Sequence, residues 1–249
     1  MRKCDDNTGI LALIPAWNEA ATIGGIVAAV RARLPVLVID DGSTDGTAAA
    51  ARAAGARVLS HPANLRKGAA LKTGFVWALQ NGYQAVVTLD ADGQHDPADL
   101  DALLRAYRRG AGDLIIGERD FSLMPWPNRF STPLGSKLLS WALGRPITDN
   151  QSGLRLLTRR FLERADLKST GYEMEVEMIW EAIRLGMPVA WVPIRTIYFP
   201  DRKSGFRPVR DSLLFLKMVL RIRRERLRQE RASGCEESAG GSAESREAG

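Results

Sequence analysis

Short apolar runs alternate along the chain with longer segments whose apolar positions recur at three- and four-residue spacing. The runs ILALI (10–14), VLVID (36–40), RVLS (57–60), AVVTLD (85–90), DLIIG (113–117) and residues 188–193 have the length and composition of buried strands. Between them, helices are expected over 19–33, 45–54, 68–81, 97–109, 134–143 and 173–185. In the first of these, Ile23, Ile26, Val27 and Val30 fall on one face. Strands that alternate with helices in this way imply a mostly parallel sheet covered on both faces. Such sheets bind ligands beyond the carboxyl ends of their strands. Past residue 118 the pattern loosens into a loop, and TDNQSGLRLL reads as a loop entering another strand.

The same pattern divides the chain. Residues 9–207 form one α/β domain after a short tail, 1–8. An apolar-then-basic helix is expected over 208–231, followed by a polar segment, 232–249, whose composition is that of a disordered tail. No internal repeat is visible. Net charge is +6, but the run RIRRERLRQER (221–231) holds six arginines against two glutamates. The excess is therefore local and does not indicate a nucleic-acid partner. The two cysteines, Cys4 and Cys235, lie in the tails, which argues against a disulfide framework or zinc site and fits a reducing cytoplasm. MRKCDDNTGI lacks a hydrophobic signal region, and LLFLKMVLRI is far short of the ~20 residues that span a bilayer.

Polar residues crowd the places where strands end. IPAWNEA follows the first strand and VIDDGSTDGT closes the second. In the latter, Thr44 or Asp45 can cap the next helix, while Asp41, with Asp40 beside it, can hydrogen-bond a base or ribose. TLDADGQHDP follows the strand at 85–90; Asp96 before Pro97 suits a helix start. Capping leaves Asp90 and Asp92 unexplained. Two carboxylates at i and i+2 repel unless a cation lies between them, and hard oxygen ligands suit Mg²⁺ or Mn²⁺ carrying a diphosphate. Gln94 can add a carbonyl oxygen, and His95 reads as either a ligand or a supporting donor. In NLRKGAALKTGF, Arg66 and Lys67 precede a helix start, either as an anion site or as a solvated basic pair.

Taken together, IPAWNEA, VIDDGSTDGT, NLRKGAALKTGF and TLDADGQHDP resemble family 2 glycosyltransferases of the GT-A fold. GERDF, TDNQSGLRLL and GYEMEVEM extend the resemblance to dolichyl-phosphate mannose synthases and bacterial polyprenyl-phosphate glycosyltransferases, over about 9–210. The resemblance implies an inverting transfer of a hexose from a UDP- or GDP-linked sugar to a polyprenyl phosphate. It places the nucleotide sugar against Pro15, Ala16, Trp17, Glu19, Asp40, Asp41, Lys67 and Ala91. Trp17 departs from the tyrosine usual there, although an indole still stacks on a base. Asp90 and Asp92, assisted by Gln94, would hold Mg²⁺ or Mn²⁺. Arg119 would contact the sugar diphosphate, Asp149, Gln151 and Ser152 the donor sugar or acceptor, and Arg202 and Lys203 a loop closing on the diphosphate.

Two questions stay open in the residues themselves. A hydroxyl acceptor needs a base, for which Asp149 is the candidate, whereas in TDNQSG it reads equally as a turn residue. The C-terminal helix carries Phe215, Val219 and Ile222 on one side, with Leu213, Leu216 and Leu220 beside them, and Lys217, Arg221, Arg224 and Arg228 on another. That pattern fits peripheral contact with the cytoplasmic face of a membrane, or packing on the domain with solvated arginines. A soluble or non-polyprenyl acceptor, and a non-catalytic nucleotide-sugar-binding protein, are the competing readings. A sugar-1-phosphate nucleotidyltransferase would want a glycine-rich phosphate loop after the first strand, and IPAWNEA has none.

Overall fold

The computed structural model describes residues 9–123, 128–195 and 212–228, with side chains omitted over 123–133. Seven strands form one sheet: β1 (Ile10–Ala16), β2 (Val36–Asp40), β3 (Arg57–Ser60), β4 (Ala85–Thr88), β5 (Leu114–Arg119), β6 (Arg155–Thr158) and β7 (Val189–Ile194). Their spatial order is β3-β2-β1-β4-β6-β5-β7. Six run parallel; β6 runs against both neighbours, with Thr88 opposite Arg155 on one side and Ile116 opposite Arg155 on the other.

Helices cover both faces, as the alternation of elements requires. Strand side chains point alternately to either side. Ile10, Ala12 and Ile14 belong to the core shared with α1 (Ala20–Arg31) and α4 (Leu100–Arg108) on one face. Leu11 and Leu13 belong to the core on the other, shared with α3 (Lys67–Gln80), α5 (Asn128–Leu143) and α7 (Met174–Arg184). α2 (Thr47–Ala53) packs beside α1, and α6 (Arg159–Arg164) follows β6 directly, its first turn capped by Thr158 Oγ1. Contact between α3 and β1 is close because residue 74 is glycine: a Cβ there would lie 2.3 Å from Leu13 Cδ1.

Some boundaries differ from the sequence expectation. β4 stops at Thr88, so Asp90 and Asp92 lie in the following turn instead of alternating along a strand. The expected helix over 97–109 begins as a 3-10 turn at Pro97–Asp99, with Asp96 Oδ1 accepting from the Ala98 N–H at 2.9 Å. Gly46, and not Thr44 or Asp45, is the N-cap of α2; Asp45 instead receives the Thr47 N–H.

Residues 212–228 form α8. Val219 and Ile222 are buried against the domain, with Phe215 and Met218 packed beside them. Arg223 lies over the Trp141 ring at 4.4 Å. The stripe formed by Leu213, Leu216 and Leu220 stays exposed, next to exposed Lys217, Arg221, Arg224 and Arg228. One stripe thus docks on the domain, and another is left outside. Among the described residues no helix is long and apolar enough to cross a membrane.

Candidate active site

The polar loops at the carboxyl ends of β1, β2 and β4 are tied together. Asn18, in the left-handed region at φ 55, accepts the Thr44 N–H at 2.9 Å and donates its own N–H to Ser43 Oγ at 2.9 Å. The Thr22 hydroxyl lies 3.0 Å from Glu19 Oε2 and 2.8 Å from the Ala91 carbonyl. Thr22 thus ties the start of α1 to the turn after β4. Pro15 and Ala16 are buried at the end of β1, while Trp17 just beyond is 53% exposed, its indole open to a flat ligand.

Asp40 and Asp41 are both buried and already serve the chain. Asp40 Oδ1 accepts the Ser43 N–H at 3.1 Å. Asp41 accepts the N–H groups of Leu65 at 2.9 Å and Arg66 at 2.8 Å, and lies 2.7 Å from His61 Nδ1. Arg66 sits at φ 79, where a non-glycine residue costs on the order of 1–3 kcal/mol. Asp41 stabilises that conformation, and through it sets the direction in which Lys67 starts α3. His61 was not marked by the sequence pattern; its Nε2 lies 3.0 Å from Thr73 Oγ1, tying the loop to α3.

The Lys67 ammonium lies 2.6 Å from Asp90 Oδ1 and 2.7 Å from Glu175 Oε1. Burial opposes the charge on Asp90, but Lys67 overrides it, with His95 assisting, and holds the carboxyl well below the usual carboxylate range. The same pairing outweighs burial at Lys67 and holds its amine above the ordinary lysine value. His95 is buried with Nε2 3.6 Å from Asp90 Oδ2, too long for a hydrogen bond, and its Nδ1 finds no partner among the described residues. Asp92 is half-buried and accepts the Gln94 N–H at 3.0 Å, which closes the turn. Gly153 comes against Asp90 from the other side; a Cβ on it would stand 2.1 Å from Asp90 Oδ2.

Asp149 and Arg119 form a second pair. Arg119 Nε lies 2.7 Å from Asp149 Oδ2 and a terminal nitrogen 2.9 Å from Oδ1, a two-pronged contact. Asp149 is fully buried and also accepts the N–H groups of Arg119, Gln151 and Ser152. Burial raises its pKa, but Arg119 and these donors outweigh that and bring it below the ordinary value. A carboxylate so engaged orients Arg119 and the turn before β6. Ser152 is buried in that turn and Gln151 is exposed at its tip.

Beneath both pairs lies Arg155, almost wholly buried on β6. It donates to the carbonyls of Ser152 at 2.8 Å, Asn150 at 2.9 Å and Glu175 at 2.5 Å. Burial draws its pKa down to about 10, against the opposing pull of Glu175 and Asp149, so it stays charged at neutral pH. Arg119 opposes its charge and Asp90 favours it. Sequence reasoning missed Arg155 and Glu175. Their signals were an arginine inside the apolar run LRLL and the alternating glutamates of EMEVEM, since charges rarely sit within buried elements unless paired.

The donor set fits a hard divalent cation. Asp90 is ionised and 26% exposed at its side chain, and Asp92 sits two residues on. Among the described residues no group of three or more His, Cys, Asp or Glu stands together as metal ligands, so the substrate and water would supply the remaining oxygens. Arg202 and Lys203 lie outside the described residues.

Comparison with known proteins agrees with this arrangement. The chain is 35% identical over 219 residues to a polyprenol monophosphomannose synthase of Mycolicibacterium smegmatis, spanning 81% of each chain. It is 35% identical over 215 residues to an undecaprenyl-phosphate mannosyltransferase of Micrococcus luteus, spanning 79% of this chain and 85% of that one. Its fold superposes with TM-score 0.62 and 25% identity on glucosyl-3-phosphoglycerate synthase of Mycobacterium tuberculosis, solved with Mg²⁺ and uridine diphosphate, over 78% of this chain and 72% of that one. The mixed, mostly parallel sheet is the GT-A arrangement that the motifs implied. The model of glycosyl transferase family 2 matches residues 12–165, and with strand-end loops, carboxylates and relatives in accord, the chain belongs to that family and is a glycosyltransferase.

Proposed function

We propose that this enzyme moves a hexose from a UDP- or GDP-linked sugar to a polyprenyl phosphate, with inversion, at the cytoplasmic face of a membrane. The observation that carries the reading is the ionised, partly open Asp90 at the carboxyl end of β4, flanked by Lys67 and His95. The names of the two 35%-identical relatives support the acceptor class.

The base would lie against Trp17, in a pocket framed by Asp40 and Asp41, with Pro15, Ala16, Glu19 and Ala91 beneath the ribose. Asp90 and Asp92, with Gln94, would hold Mg²⁺ or Mn²⁺. When bound, that cation supplies Lewis-acid stabilisation of the leaving diphosphate. Lys67 and Arg119 bring further positive charge to the same group, Arg202 and Lys203 close on it, and Gln151 and Ser152 meet the sugar or acceptor. An acceptor phosphate oxygen attacks the anomeric carbon; the bond from that carbon to the diphosphate oxygen breaks, and the nucleoside diphosphate leaves with the electron pair. A phosphate monoester has a second pKa of about 6 and is already a dianion at neutral pH. No side chain need remove a proton, which suits an Asp149 already committed to Arg119. The exposed leucines and basic residues of α8 match an interface carrying anionic lipid.

The test is a panel of UDP- and GDP-hexoses incubated with the enzyme, polyprenyl phosphate and Mg²⁺ or Mn²⁺, with EDTA controls. Solvent-extractable glycolipid that disappears with EDTA is the expected product. Transfer only to water-soluble acceptors overturns the lipid assignment. No transfer from any donor overturns the donor assignment.

A further inference from the structure

Lys67 bridges two carboxylates of unlike access. The Asp90 side chain is 26% exposed and that of Glu175 is 6%. Glu175 Oε1 holds the ammonium, but Glu175 Oε2 is buried with no hydrogen-bond partner among the described residues. An ammonium has three N–H donors. The outer carboxylate therefore shares its cation with an inner one that has an acceptor to spare.

The backbone beneath Lys67 is fixed. The Gly68 N–H donates to the Thr170 carbonyl at 2.8 Å, and a Cβ on Gly68 would stand 2.7 Å from the Thr170 backbone. Any change of partner must come from the four-carbon side chain alone. Its Nζ also lies 5.9 Å from the ring of exposed Tyr172, on the open side.

A divalent cation on Asp90 would share a carboxylate that an ammonium already holds at 2.6 Å through Oδ1. Two cations on one carboxylate repel strongly in a partly buried site. A diphosphate arriving with the divalent ion supplies the negative charge that lets both remain.

We infer that Lys67 is an internal counter-ion for Asp90, shifted onto Glu175 and the diphosphate when cation and nucleotide arrive together. The free protein then binds the divalent ion weakly and the nucleotide-loaded protein binds it tightly. This rests on Asp90 as the metal carboxylate, and Glu175 is the positioning residue that keeps Lys67 in the site.

Mn²⁺ titrations of the full chain, followed by the electron paramagnetic resonance of free Mn²⁺ and corrected for the Mn²⁺ that the same nucleotide binds without protein, test this alone and with UDP or GDP added. For the wild type, nucleotide should tighten Mn²⁺ binding by roughly tenfold or more. Lys67→Met should bind Mn²⁺ at least roughly tenfold more tightly than wild type without nucleotide, and its nucleotide effect should shrink to the part that direct ligation by the diphosphate supplies. Lys67→Met strands Glu175 as a buried unpaired carboxylate, so the double variant Lys67→Met/Glu175→Gln removes both partners and should behave alike. Nucleotide-free Mn²⁺ affinity unchanged in both variants, beside a wild type that binds Mn²⁺ with nucleotide, overturns the counter-ion role and leaves the metal site standing. No Mn²⁺ binding by any form, with or without nucleotide, overturns the metal assignment and this inference with it.

Discussion

Replacing Gly153 with alanine is expected to damage the active site while leaving the fold intact. The new Cβ would stand 2.1 Å from Asp90 Oδ2, whereas real Cβ atoms stay beyond 3.0 Å, so the carboxylate must retreat by about 0.9 Å or more. Gly153 cannot retreat in its place. Its carbonyl accepts the buried Thr88 hydroxyl at 2.8 Å, and it stands between Ser152 and Leu154, both fully buried. The obstructed group is the end of a side chain with open space on one face, so the strain is relieved by rotation and should cost no more than about 1 kcal/mol of stability. The chemistry is less forgiving: a misplacement near 1 Å of a positioned charge can cost roughly 10²-fold in rate. Urea unfolding and steady-state kinetics of Gly153→Ala, side by side, check both halves. A near-native unfolding midpoint with kcat/KM down about a hundredfold is the expected pair. Wild-type kcat/KM would refute the placement of Asp90 at the reacting centre, and loss of the folded state would refute the claim that the strain is local.

Asp149→Asn should lower kcat/KM by roughly 10²-fold through a misaligned Arg119, with the shape of the pH–rate profile kept; loss of the acidic limb alone would instead make Asp149 a base. Acid should unfold the protein through Asp90 and Asp149. Both carboxyls have folded pKa values below the unfolded value of about 3.9, so their stabilisation is fully present above that pH and disappears as pH falls from about 4 toward the folded values. Urea midpoints measured from pH 6 down to pH 3 should hold level and then fall, and an Asp149→Asn protein should fall less steeply.

Much of this architecture was readable because it is written in periodicity. The apolar runs marked β1 to β5 and β7 within two residues at most ends, and the ends drew attention to Trp17, Asp41, Lys67 and Asp90. Direction was harder. β6 is four residues long, and nothing in RLLT distinguishes a strand that runs with its neighbours from one that runs against them. α6 escaped notice because six residues are too few to display a helical stripe. The partnerships were invisible for a different reason: Lys67, Asp90 and Glu175 meet only after three elements have packed, and charge pairing leaves no local pattern. Asp41 could be singled out as a buried-loop carboxylate, but its work on Leu65 and Arg66 depends on a backbone at φ 79 that no residue type announces.

The reversed direction of β6 has a consequence for how such an enzyme can change. β5 leaves the sheet at Arg119, and β6 re-enters it at Arg155, beside Ile116. The chain thus leaves the sheet and re-enters it at the same rim. A parallel β6 would have forced the chain to cross to the far rim first. As built, a change of length between Arg119 and Asp149 leaves both joints on neighbouring strands, whereas the last residues before β6 are held to the end of β4, the Gly153 carbonyl accepting the Thr88 hydroxyl at 2.8 Å.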